Sequence, residues 1–106
     1  MIDVAVVETL NSYNQLLLDC LDHWGEDMQL NIVIEEMAEL TREICKHNRG
    51  DDNYYEIMEE TVDVLIMINQ LYITAKFPSE EFNNLLIHKL ERTSELFLLE
   101  KESERE

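Results

Sequence analysis

Val62-Asp63-Val64-Leu65-Ile66-Met67-Ile68 is a run that a folding protein normally buries, yet its second residue is an acid. With the residues before it the chain reads Glu60-Thr61-Val62-Asp63. Residues three apart lie on one face of a helix, one turn apart, so Glu60 and Asp63 present two carboxylates side by side. A second acidic word, Glu35-Glu36-Met37-Ala38-Glu39, pairs Glu36 with Glu39 in the same way. Glu36 has Ile32 and Val33 a turn before it and Leu40 a turn after it. An ionised carboxylate in such company costs several kcal/mol unless something positive neutralises it. Four acids on two helices, placed so, point to a divalent-cation site.

Working outward, the chain reads as all-α. Its 106 residues make one domain, 1–106, and 45% hydrophobic content is enough for a core. Two glycines and one proline are too few turn formers for a many-stranded β fold. Between Val62 and Ile73 the sequence is apolar nearly all the way round a helix expected over 54–75. Four helices of one such chain cannot surround it, so an oligomer interface is expected there, in a dimer or a tetramer.

Toward the N-terminus, Val6, Val7, Leu10, Leu17, Leu18 and Leu21 recur at helical spacing, predicting one helix over 3–22. Asn11-Ser12-Tyr13-Asn14 is its weakest part, and His23-Trp24-Gly25 ends it. The next helix is expected over 26–48, with Glu26 and Asp27 in its first turn and Leu30, Val33, Ile34, Met37, Thr41 and Ile44 as its core stripe. Lys46-His47-Asn48-Arg49-Gly50 is a helix C-terminus, and Asp51-Asp52-Asn53 a loop and N-cap. Phe77-Pro78-Ser79-Glu80 starts a fourth helix over 79–99, with Phe82, Leu85, Leu86, Leu90 and Phe97 inward and a frayed charged tail over 100–106.

Charge narrows the partners. With 24 acids against 8 bases the formal charge is −16, which repels nucleic-acid backbones and anionic membranes, so neither is expected as a partner. No signal peptide or membrane span is legible, and Cys20 and Cys45 read as reduced thiols, so a cytoplasmic protein is expected.

On a wheel at about 100° per residue, Glu36, Glu39 and Glu43 share one narrow face of the 26–48 helix, with Gln29 before them and Lys46 after. Glu35 points away from it. On the 54–75 helix Glu60 and Asp63 share a face with Glu56 and Met67. A short connection favours antiparallel neighbours, which lets the two acid pairs face each other. Four oxygen donors so disposed suit Mg²⁺, or Mn²⁺, which keep some waters and take substrate phosphates as further ligands. A di-iron bundle needs Glu-x-x-His words and zinc wants a Cys/His cluster; neither pattern occurs. No Gly-rich phosphate loop and no Ser/His/Asp set stands out.

Glu35-Glu36-x-x-Glu39 followed by Glu60-x-x-Asp63 resembles the EExxE…ExxD signature of the all-α nucleoside triphosphate pyrophosphohydrolases, the MazG-like and dimeric dUTPase superfamily. Lys46, Arg49-Gly50 and Lys89-x-x-Arg92 add to the likeness with small single-domain MazG-like proteins; it spans roughly Trp24 to Arg92. The resemblance implies a four-helix MazG-like unit that hydrolyses a ribo- or deoxyribonucleoside triphosphate to the monophosphate and pyrophosphate, cleaning or adjusting nucleotide pools. It also implies that Glu36, Glu39, Glu60 and Asp63 hold Mg²⁺ and that Glu39 or Glu43 acts as general base. Lys46, Arg49, Lys89 and Arg92 would then bind phosphate, and Trp24 and Gln29 the nucleobase. The chain carries one copy of the unit and is shorter than many dimeric dUTPases, so base preference stays open. The competing expectation is a non-catalytic helical module whose acidic surface binds a protein partner.

Overall fold

A computed structural model of the chain describes residues 2–105, all in helices and short connections, with no strand among them. The helices are α1 (Val4–Ser12), α2 (Asn14–Trp24), α3 (Glu26–Asn48), α4 (Tyr54–Ala75) and α5 (Ser79–Arg105). None of the described helices is long and apolar enough to cross a membrane. Backbone packing divides the chain into two units, one ending at Lys76 and the other beginning at Phe77.

The single helix expected over 3–22 is two. Tyr13 leaves the helical region at φ −106°, ψ 11°, and its N–H bonds to Leu10 O in a tightened last turn. Ser12 turns its hydroxyl back onto Thr9 O at 2.7 Å, a local side-chain bond that competes with the helical ladder. Gly25 then separates α2 from α3 at φ 85°, ψ 163°, a region open essentially to glycine alone. A Cβ there would meet nothing within 4 Å, so the requirement is conformational and not steric.

α3 and α4 match the expected 26–48 and 54–75, and they form an antiparallel hairpin. Glu43 near the end of α3 is bonded to Asn53 at the start of α4, while Glu36, two turns earlier, lies beside Glu60 and Asp63. Asp51 N–H to Lys46 O and Gly50 N–H to His47 O wind the chain out of α3. α2 rests on this hairpin: Gln70 Nε2 donates to Leu17 O at 3.1 Å and Asn69 Nδ2 to Asn14 Oδ1 at 3.3 Å.

The core differs from the stripe expected on α3. Val33 alone of the expected stripe is buried, and among the described residues it is the only buried large apolar side chain. Ile34, Met37 and Ile44 are exposed, and so is Thr41. The side of α3 that faces α4 carries Gln29, Val33, Glu36, Leu40 and Glu43, at alternating spacings of four and three, the knobs-into-holes repeat of two packed helices. From α4 come Glu60, Met67, Gln70 and Thr74, with Asn53 at the hairpin's closed end. Polar residues occupy most of this seam. For the same reason α4 is not buried on every side: Met58, Val62, Ile66 and Ile68 are exposed, and its buried residues are Gln70 and Thr74.

In the second unit, Pro78 O accepts from Phe82 N–H at 2.9 Å, opening α5, and the Phe77 and Phe82 rings stack with centroids 6.0 Å apart. α5 runs to Arg105, past the expected end at 99, so the charged tail is helical through its last described residue. Lys101 Nζ sits 5.7 Å from the Phe97 ring centre, four residues back on the same face. The inward set expected on this helix has no second helix to pack on within its own unit.

Candidate functional site

The α3–α4 seam brings acids together from both acidic words. One carboxylate oxygen each from Glu36, Glu60 and Asp63 falls within 4.8 Å of the others. Glu36 and Glu60 are half-buried, and on each of them Oε2 is shut off from water with no hydrogen-bond partner. A buried acceptor without a partner is costly, and here two belong to neighbouring anions.

The electrostatics follow. The Glu36 carboxyl is held above its ordinary value of 4.5, first by loss of hydration, then by the charges of Glu39, Asp63 and Glu60. Glu60 is raised as well, again first by loss of hydration, then by Glu39, Asp63 and Glu43. Glu39 is itself exposed, at the rim, and close enough to act on both. The site therefore favours whatever removes negative charge, a proton or a cation. Its donors are all carboxylate oxygens, the set that suits a hard divalent ion.

Glu43 sits apart in its bonding. Its carbonyl accepts from Asn53 Nδ2 at 2.8 Å, its Oε2 accepts from the same amide at 3.3 Å, and Lys46 Nζ lies 3.4 Å from Oε2. This buried glutamate ties the end of α3 to the first residues of α4 and so sets how the two acidic words face each other.

The other expected residues are placed as follows. Lys46 is half-buried and paired with Glu43. Arg49 is the C-cap of α3, where its N–H reaches Cys45 O and Lys46 O. Gln29 is 4% exposed and lies within the seam, on the same side of α3 as Glu36 and two turns before it. Trp24 closes α2, half-exposed, with its ring edge-on to His23 at 5.3 Å. Lys89 and Arg92 lie on α5, in the second unit. A shallow depression lined by Tyr55, Met58, Glu59, Val62 and Asp63 opens beside the acids on α4.

Sequence reasoning missed the buried polar residues that continue the seam beyond the acids. Gln70 is 1% exposed, with Oε1 unpartnered, and the Thr74 hydroxyl is buried without a partner one turn further on. The signal was present as the repeat 60, 63, 67, 70, 74, which places these residues in line with Glu60 and Asp63.

No known protein family, curated protein or solved structure matches this chain.

Proposed function

We propose that the α3–α4 seam is a divalent-cation site and that the protein is a Mg²⁺-dependent nucleoside triphosphate pyrophosphohydrolase. The observation that carries the reading is the convergence of Glu36, Glu60 and Asp63 within 4.8 Å, with two of their oxygens buried and unpartnered. The EExxE…ExxD spacing supports the same reading independently of the packing.

In this account Glu36, Glu60 and Asp63 would hold Mg²⁺, with Glu39 at the rim as a fourth donor. The ion, when bound, offsets the charge of a triphosphate and makes a coordinated water more acidic. Water adds to the α-phosphorus, the α–β bridging P–O bond breaks, and pyrophosphate leaves with the bond's electron pair. A carboxylate takes the proton that water loses. Glu39 is better suited to this than Glu43, whose carboxylate is already occupied by Asn53 and Lys46. Arg49 is the base of this unit assigned to the phosphates, and Lys46 joins it on leaving Glu43. Trp24, exposed at the end of α2, is the stacking surface for a base.

The test is a product assay over ribo- and deoxyribonucleoside triphosphates, with Mg²⁺ and with chelator. Monophosphate and pyrophosphate in equal amounts, lost on chelation, are the expected products. Nucleoside diphosphate with orthophosphate would refute the assigned bond cleavage. No turnover in any mixture would favour the acidic module that binds a protein partner.

A further inference from the structure

α4 carries a second stripe besides the polar one that faces α3. Tyr55, Met58, Val62, Leu65 and Ile66 recur at spacings of three and four and are all apolar or aromatic. Tyr55 is 61%, Met58 46% and Val62 49% exposed, so the stripe lies open. Two troughs meet over it at Thr9, Leu10 and Ile66, one reaching Val62 and Leu65 along α4 and the other Leu16 and Leu17 along α2. The depression over Tyr55, Met58 and Glu59 shares Val62 with the first of them. From Tyr55 to Ile66 the groove follows α4 for roughly 16 Å, about three turns of helix.

The lining decides the kind of occupant. Thr9 bonds its hydroxyl to Ala5 O at 2.9 Å, and the rest of the two troughs is apolar apart from Tyr13. A small-molecule site needs polar groups that converge to orient the ligand, and these troughs offer none. A long apolar groove bordered by helices suits another helix laid into it. Charge decides the sign of that helix. α1, α2 and α4 contain no lysine or arginine, while α4 alone carries Glu56, Glu59, Glu60 and Asp63. Glu59 lines the Tyr55 end of the groove, exposed and in no ion pair among the described residues. We infer that this groove binds an amphipathic helix of a different protein, its apolar face against Val62, Leu65 and Ile66 and a lysine or arginine over Glu59. A second copy of this chain, itself at −16, is repelled by walls that hold acids and no bases. Neither Glu59 nor Ile66 belongs to the seam with α3, so binding here is independent of whether that seam holds a cation.

Fluorescence anisotropy on the whole chain tests this, at about 0.15 M salt so that exposed charges are screened beyond roughly 8 Å. The probe is a labelled synthetic peptide of about 16 residues with leucine at every third and fourth position and lysines flanking that face. One control peptide has the same residues in scrambled order, and another has glutamate in place of each lysine. The patterned basic peptide should bind saturably, and each control at least about tenfold more weakly. Ile66→Gln and Glu59→Lys should each weaken binding about tenfold, with circular dichroism establishing that both variants remain helical. Glu102→Lys, the same charge change on α5, should leave binding unchanged. A scrambled peptide that binds as tightly as the patterned one would overturn the proposal, because net charge alone would then attract the probe. Equal losses from Glu59→Lys and Glu102→Lys would overturn it for the same reason. So would a wild-type mass of two chains by sedimentation equilibrium that Ile66→Gln reduces to one, since a second copy would then fill the groove.

Discussion

Glu36 combines a place in the proposed cation site with a structural cost. Its carboxyl is raised by lost hydration and by Glu39, Asp63 and Glu60. A raised carboxyl holds its proton more tightly in the folded chain than in the unfolded one. Its contribution to stability is therefore fully present below the unfolded value and is lost as pH rises through the folded one. Glu60 has the same sign. In chelator, thermal stability should fall as pH is raised from below 4.5 through the raised values of these two groups. Glu36→Gln should flatten that dependence and raise the metal-free melting temperature at neutral pH by a few degrees, while abolishing turnover. A variant less stable than wild type across the whole range would remove the electrostatic explanation. Asn53 is the opposite case, since its amide serves two oxygens of a buried glutamate. Asn53→Ala should destabilise the fold by about 1–3 kcal/mol by removing both of those hydrogen bonds from a buried site, measured by urea unfolding. A loss under about 0.5 kcal/mol would mean that water replaces the amide there.

At the level of elements, the two glycines mark the ends of α2 and α3 and were readable as such. Gly25 is the stricter of them, because its backbone region excludes side chains even where space is open. Gly25→Ala should cost about 1–3 kcal/mol and lower the melting temperature, without any new clash. An unchanged melting temperature would show that the α2–α3 turn can adopt another conformation.

The extents of α3 and α4 were legible because capping residues, loop and periodicity agree at both ends. The division at Tyr13 was legible only as weakness, since breaking a helix there depends on Ser12 bonding back to Thr9. The extension of α5 was not legible: charges at 100–105 read equally well as solvent-exposed helix or as frayed chain, and contacts such as Lys101 over Phe97 decide between them. The core of α3 was misread for a physical reason. Apolar periodicity located Leu30, Val33, Ile34, Met37, Thr41 and Ile44; Val33 is buried as expected, but the helix turns its Gln29–Glu36–Glu43 side toward α4 and leaves Ile34, Met37, Thr41 and Ile44 exposed. Residue spacing set Glu36 and Glu39 on one face of α3 and Glu60 and Asp63 on one face of α4; the structure brings one oxygen each of Glu36, Glu60 and Asp63 within 4.8 Å and leaves Glu39 exposed beside them. The occupation of Glu43 by Asn53 was not, because it depends on a loop that brings residues ten apart together.

Across the whole molecule, a formal charge of −16 makes every anionic ligand costly to approach. A cation held between Glu36, Glu60 and Asp63 would offset the part of that charge nearest the seam, linking substrate binding to metal binding. The same link makes the site measurable without a substrate. Melting temperature followed against Mg²⁺ concentration, with a monovalent salt matched for ionic strength, isolates binding to the folded state from general screening. A rise with Mg²⁺ that continues beyond the salt control is expected, and Asp63→Asn should remove the excess. Equal responses to Mg²⁺ and to the matched salt would contradict a cation site in the α3–α4 seam.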